Sequence, residues 1–494
     1  MSPAHETDRC DGERESGKQR AAKGTEGTTA AALQLHGDVL GEVLRRLAPR
    51  WLAACRCVCK AWRDAIDGGG LLRADLLQLP LAGFFLNFSC HDYSEYFSRP
   101  TTTTTTTTCH RHLITGKLDF LPSEGEWQMA LDHCNGLLLL ESGCVVNPAT
   151  KAWMDLTPYP PPPPLIEEEQ EEVKTYPEEH LVFDPTLSPH FEVLIIPHLL
   201  PFDKDRSKKQ PPQNSAWPPS PLVLNVFSSR TREWEERPFV REGEAAGAMA
   251  DVASVRGTHY AAYWRGTLYV RCQSNFVMRL SLLDNKYRII HRPVDAEARE
   301  FSSRYLGKSK QGVYFASLSK DRLLVWLLDE PCGGMKWVLM HQTDLGPSLA
   351  TSHKLDGHWI LHDINYECST WLFPKGRKPL TTLARENFEW NSDDDDIVND
   401  AAEDTVKRRY DEYALVLGFH PYKEILFIQS MDRGYAYHLS SSKLEELGKL
   451  HPVSLHGIPN EHLDVELSFP YTPCWIEEFP QPELDCKLNS IWKP

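Results

Sequence analysis

Beyond Pro80 the chain is built from repeated groups of four short apolar runs. "HLVFDP", "HFEVLIIP", "PLVLNVFSS" and "EWEERPF" follow one another. So do "YAAYW", "TLYVRC", "FVMRLSLL" and "KYRII", and then "RYLG", "GVYFASL", "RLLVWLL" and "KWVLMHQ". Short runs rich in β-branched and aromatic residues, bounded by Gly, Pro, Asn and Asp, are strand signals. A four-strand unit repeated in tandem predicts a β-propeller, because a single unit leaves a face unburied and the units must close on one another. Six or seven blades are expected, within residues 80–480.

A second regularity supports this register. In "GCVVNPATKAWMDLTP" and "LVLNVFSSRTREWEERPF" a strand ends in a small polar turn, then Thr, two residues, and a Trp that opens the next strand. Thr150 and Trp153 match Thr231 and Trp234. "LSLLDNKYRII" and "VWLLDEPCGGMKWVLM" repeat the layout more loosely, with Tyr287 and Trp337 in the aromatic place, and "AYHLSSSKLEELGKL" is a further version. The recurring aromatic is expected to pack between neighbouring blades. Trp153 and Trp234 are both expected to be largely buried there.

The residues on either side of this region, 1–79 and 481–494, have a different character. Residues 1–32 are rich in Gly, Thr, Ala and charge and predict a disordered tail; residues 481–494 form a C-terminal tail. Residues 33–79 predict a small all-α module. In "HGDVLGEVLRRLAPR", Asp38 can cap a helix. Val39, Leu40, Val43, Leu44 and Leu47 then make one apolar stripe, and Pro49 ends it. Leu52, Cys55, Cys59 and Trp62 share the face of a following helix. Cys57 points roughly opposite Cys55 at 3.6 residues per turn. Two thiols on one face do not complete a tetrahedral zinc site, and no C-x-x-C pair is present. Cys55 and Cys59 are expected to behave as small buried hydrophobes.

This stretch resembles an F-box, the module by which substrate receptors attach to the Skp adaptor of cullin-type ubiquitin ligases. Within "LQLHGDVLGEVLRRLAPRWLAACRCVCKAWRDAI" the match covers Leu35 to Ile66 and carries the first-helix apolar residues, Pro49, Leu52, the Val58-Cys59-Lys60 triplet and Trp62. It departs from the pattern at His36, where Pro is usual, and at Trp51, where a capping Ser or Asp is usual. The second change removes a cap of about 1 kcal/mol. The resemblance implies adaptor contact through Leu35, Val39, Leu40, Val43, Leu44, Leu47, Pro49, Leu52, Val58, Cys59 and Trp62. The strand region, in "HCNGLLLL", "VNPATKAW" and "VFDPTLSPHFEVL", resembles the kelch-related F-box-associated propeller of plant F-box proteins, over about Phe84 to Trp475. There the resemblance implies recruitment of a protein substrate.

The function expected is therefore that of a substrate-recognition subunit of a Skp–cullin–F-box ubiquitin ligase. It would bind a Skp-type adaptor, a cullin through it, and an unnamed target protein. A propeller scaffold or ligand-binding protein outside any ligase is the alternative. No enzymatic activity, cofactor or metal is expected. No G-x-S-x-G elbow or phosphate-binding loop occurs in the sequence. His190 with His198, and His358 with His362, invite a metal reading, but "HWILH" lacks the metalloprotease Glu. The net charge of -16 argues against a general nucleic-acid binder. No apolar run reaches spanning length, so no membrane partner is expected. Thirteen cysteines without a secretion signal favour cytoplasm or nucleus. Thr101–Thr108, Glu167–Glu172 and Asp393–Asp396 are low-complexity runs on loops or in disordered insertions; the consecutive aspartates lack the spacing of a calcium loop and read as a solvated loop.

Overall fold

The computed structural model divides the chain into two units, residues 1–78 and 79–494. In the first unit, residues 40, 41, 43, 44, 62, 65 and 66 are described. In the second, 81–474 and 479 are described, apart from 90, 100–113, 115, 123–127, 161–174, 186, 200–214, 250–259, 273–275, 294–301, 331–333, 352–358, 366–413, 453–464 and 475–478. The expected tails and the three low-complexity runs lie outside the described residues.

Among the described residues of the second unit, the regular structure is strand, with helix only in short stretches such as Gly346–Thr351. β1 (Gly83–Phe88) and β2 (Glu95–Ser98) open it, followed by the meander β3 (Ala130–Cys134), β4 (Leu137–Leu140), β5 (Cys144–Asn147) and β6 (Ala152–Asp155). β7 (Thr175–Phe183) and β8 (Phe191–Leu199) come next. The two-residue β9 (Ala216–Trp217) precedes β10 (Leu222–Ser228) and β11 (Glu233–Arg241), and pairs with β12 (Gly247–Ala248). Then come β13 (Ala261–Trp264), β14 (Thr267–Arg271), β15 (Phe276–Ser281) and β16 (Lys286–His291). After them are β17 (Ser303–Ser309), β18 (Gly312–Ser319), β19 (Arg322–Asp329) and β20 (Lys336–Asp344). β21 (Ile360–Leu361) precedes β22 (Leu415–Phe419), β23 (Ile425–Ser430), β24 (Arg433–His438) and β25 (Lys443–Lys449), and β26 (Val465–Tyr471) closes the series.

These strands make six antiparallel groups of four. Three are separate meanders, β3 to β6, β17 to β20 and β22 to β25. Two more, β7-β8-β10-β11 and β13 to β16, are fused into one eight-stranded sheet by a short parallel pairing, Val240 with Lys286 and Arg241 with Tyr287. The sixth takes strands from distant parts of the chain, in the order β21-β2-β1-β26. There the start of the unit pairs with its end, Phe85 opposite Phe469 and Gly83 opposite Tyr471. The three quartets read from sequence coincide with β7-β8-β10-β11, β13 to β16 and β17 to β20. One edge strand of each group, β3, β7, β13, β17, β22 and β26, touches the next, and β26 touches β3, so the contacts form a closed cycle.

Side chains explain why the groups stack. Alternate residues of a strand point to opposite faces. Phe84 and Phe85 on β1 divide in this way. Phe84 packs edge-on against Phe427 of β23, ring centroids 4.8 Å apart. Phe85 joins Leu138, Val146 and Tyr471 on the other side. Strands covered on both faces read as continuous apolar runs, and β1, β4 and β23 are buried at every position. Burying one such ring contributes about 2 kcal/mol.

The polar turn before the fourth strand also has a physical cause. Lys151, Arg232, Asn285 and Ser442 each adopt positive φ, at 61°, 60°, 52° and 55°. Each stands two residues before Trp153, Trp234, Tyr287 and Leu444 respectively. In three of these turns its N–H donates to the carbonyl four residues back, Lys151 to Asn147, Arg232 to Ser228 and Ser442 to His438, each at 2.8 Å.

The aromatic itself behaves less uniformly than expected. Trp234 Nε1 donates to Thr157 O at 3.0 Å, just after β6. Tyr287 Oη donates to Pro219 O at 2.6 Å, and Trp337 Nε1 donates to His291 O at 3.0 Å, at the end of β16. Each clips its fourth strand to backbone of the preceding group. Trp153 does not follow: it is 38% exposed, and Trp234 is only half-buried, so neither is the deeply buried junction residue expected. The group preceding Trp153 has as its outer strand β21, only two residues long.

Candidate functional site

Two regions carry the chemistry of interest. The first is the small unit. Leu40, Gly41, Val43 and Leu44 are helical, as are Trp62, Ala65 and Ile66. Leu44 and Ile66 are completely buried, with Leu40, Trp62 and Ala65 packed on them. Leu40 and Leu44 are one turn apart, and 62, 65 and 66 follow i, i+3, i+4 spacing, so two helical stripes meet. Val43 lies about 100° round the helix from Leu44 and is 53% exposed. Of the residues read from the sequence as adaptor contacts, then, Leu44 faces inward within the unit and Val43 faces out. Leu35, Val39, Leu47, Pro49, Leu52, Val58 and Cys59 lie outside the described residues, as do Cys55, Cys57, His36 and Trp51.

The second region is the middle of the strand unit, where the edge strands of the cycle meet. Asn135 and Gly136 connect β3 to β4 with φ of 46° and 90°, the pattern of a two-residue hairpin turn. A Cβ at Gly136 would stand 2.6 Å from the backbone N of Cys474, so only glycine fits. The turn aims Asn135 at two neighbours: its Nδ2 donates to Phe183 O at 2.6 Å, and its Oδ1 accepts from Lys308 Nζ at 2.5 Å. Burial pushes the Lys308 ammonium down from its ordinary value. Burial also pushes His133 down to about 4, Asp132 opposing and Lys308 reinforcing the shift. Cys134 is pushed up to about 12 by the same desolvation, which makes it a packing residue and not a nucleophile.

Beside this lies a group the sequence reading did not assemble. Glu178 and His180 on β7 and His198 on β8 bring one donor atom each within 4.8 Å of one another. In the hairpin register Tyr176 pairs with His198, and Glu178 with Ile196. Glu178, His180 and His198 therefore share a face. His198 groups with His180 and Glu178, and His362 Nε2 lies 2.8 Å from Ser98 Oγ. His358 lies outside the described residues. The signal that could have found the group is "EEH" in one strand and His in the next, visible only once the hairpin register is known.

Comparison with known proteins bears on the small unit. Residues 38–76 match the F-box-like family. No curated protein matches the chain. Among solved structures, the extracellular domain of a one-component system from B. thetaiotaomicron shares 9% identity, over 75% of this chain and 28% of its own length, with a TM-score of 0.25. The chain thus spans 28% of that protein's length. The F-box-like segment is shown by its own match; F-box domains generally bind Skp-type adaptors.

Proposed function

We propose that the chain is a substrate receptor of a Skp–cullin–F-box ubiquitin ligase. Its F-box would dock the Skp adaptor, and its strand unit, a six-bladed propeller of the F-box-associated kind found in plants, would hold the target protein. The observation that carries this reading is the F-box-like match over residues 38–76, directly ahead of the strand unit. A segment of about 40 residues buries too little surface to be very stable alone and gains by docking to a partner. Among the described residues, Val43, exposed on the helix whose Leu44 is buried, is the apolar residue best placed to meet the adaptor. Six stacked groups with a closed cycle of edge strands support the propeller reading. The β1–β26 pairing acts as the clasp between the two ends of the ring. The receptor itself would do no chemistry, since ubiquitin transfer belongs to other subunits, and it would work in cytoplasm or nucleus.

The test is affinity purification of the intact chain and of a chain lacking residues 38–76 from the same cells. Recovery of adaptor and cullin with the intact chain only is the expected result. Equal recovery with both chains, or adaptor recovery with neither, overturns the proposal.

A further inference from the structure

The middle of the strand unit holds a set of side chains with the composition of a transition-metal site, independent of the F-box. Glu178 Oε2 lies 3.2 Å from His198 Nε2 and 3.9 Å from His180 Nε2. Both histidines are buried, 3% and 2% exposed. Two imidazoles and a carboxylate form the three-ligand set that zinc uses when a fourth position stays open. Tetrahedral coordination at zinc–nitrogen distances of about 2.0–2.1 Å puts donors about 3.3 Å apart. The Glu178–His198 spacing matches this, and all three donors lie within 4.8 Å of one another.

A second observation points the same way. The other ring nitrogen of His180, Nδ1, faces Asp132 Oδ2 at 3.5 Å. Asp132 is itself fixed, its Oδ2 accepting from Leu181 N at 2.9 Å and its Oδ1 from His133 N at 2.8 Å. A carboxylate behind a histidine's far nitrogen sets the tautomer that presents Nε2 to a metal and raises its basicity. The His198 ring is held by stacking on Tyr176, centroids 5.4 Å apart and planes 24° from parallel. The orienting groups are thus already in place around two of the three donors.

We infer that Glu178, His180 and His198 bind a divalent metal ion of the zinc class, with Asp132 as the group that orients His180. Glu178 is the partly exposed member of the set. The competing arrangement is a purely structural carboxylate–histidine cluster, which the test addresses directly.

The full chain carries 13 cysteines and 20 histidines, so total zinc alone decides nothing, and the comparison with variants is the measurement. After gel filtration with Zn2+ and removal of loose metal, the wild-type chain should retain about one zinc more than His180→Gln, His198→Gln or Glu178→Gln. His341→Gln, which alters a histidine bonded elsewhere to Tyr437, should retain the wild-type amount. Melting curves in chelator show whether each variant is folded, and zinc should raise the melting temperature of the wild type but not of the three variants. Because a buried-histidine variant can fail to fold, Co2+ titration of the wild type gives an independent readout. The expected spectrum has the d–d bands of a nitrogen and oxygen ligand set, without sulfur-to-cobalt charge transfer. Equal metal in wild type and folded variants, thiolate bands in the cobalt spectrum, or no saturable binding at all would each overturn the inference.

Discussion

Val43 and Leu44 are adjacent in the chain and differ in what they face. Val43→Asp places charge on an exposed position and should leave the small unit folded while lowering adaptor affinity at least tenfold, measurable by calorimetry against purified Skp adaptor. Leu44→Asp buries an unpaired carboxylate against Ile66 and should unfold the helix pair, because isolated buried charge is strongly unfavourable. Circular dichroism separates the two outcomes. The sequence pattern placed both residues on one apolar stripe, and a stripe five residues wide does not say which edge meets the partner. His420 offers a pH test at the same scale. It is buried, its Nδ1 accepts from Tyr422 N at 3.1 Å, and desolvation holds it down at about 3. The unfolded chain would protonate it near 6.5. Between those values the unfolded state binds the extra proton, so stability present above pH 6.5 is lost as pH falls, by about 1.4 kcal/mol per unit from this group. Urea unfolding midpoints from pH 7 to 5 should fall, and His420→Asn should flatten the slope.

The recurring turn and its aromatic show what an element-level pattern does and does not contain. Arg232 occupies the left-handed region at a φ of 60°, which favours glycine. Arg232→Val should lower the melting temperature, because a β-branched side chain is strained at positive φ, and more so than Arg232→Gly. The spacing of Thr and Trp located the turn and the fourth strand correctly, because the turn is closed by local hydrogen bonds. It did not predict burial, because burial depends on the neighbouring group. Trp234→Ala should lower the melting temperature clearly more than Trp153→Ala, since Trp234 packs on Phe227 at 5.4 Å and bonds Thr157 while Trp153 faces solvent. Equal losses would mean that the fourth-strand aromatics act alike after all. Three of the six quartets were legible as runs of consecutive strands. The quartet β21-β2-β1-β26 was not, because it joins the consecutive β1 and β2 to two strands from distant places along the chain and no local period links them. The Glu178, His180 and His198 group escaped for a related reason: its members are neighbours only through hairpin register.

At the scale of the whole molecule, the pairing of β1 with β26 couples the beginning of the strand unit to its end. Phe85 and Phe469 face one another across that seam and both are buried. Phe469→Ala should cost about 3–5 kcal/mol, and the transition should remain single if the cycle of strands unfolds as one body. A separate early transition would mean the β1–β26 group is only loosely joined to the rest. None of this should touch the small unit, whose role rests on its own segment. The most direct test of the whole account is a binding measurement between purified Skp adaptor and three forms of the chain: intact, lacking residues 38–76, and Val43→Asp. The account predicts saturable binding to the intact chain, none to the deletion, and at least tenfold weaker binding to Val43→Asp with its circular dichroism unchanged. Adaptor binding that survives deletion of residues 38–76, or an intact and folded chain that binds no adaptor, would contradict it.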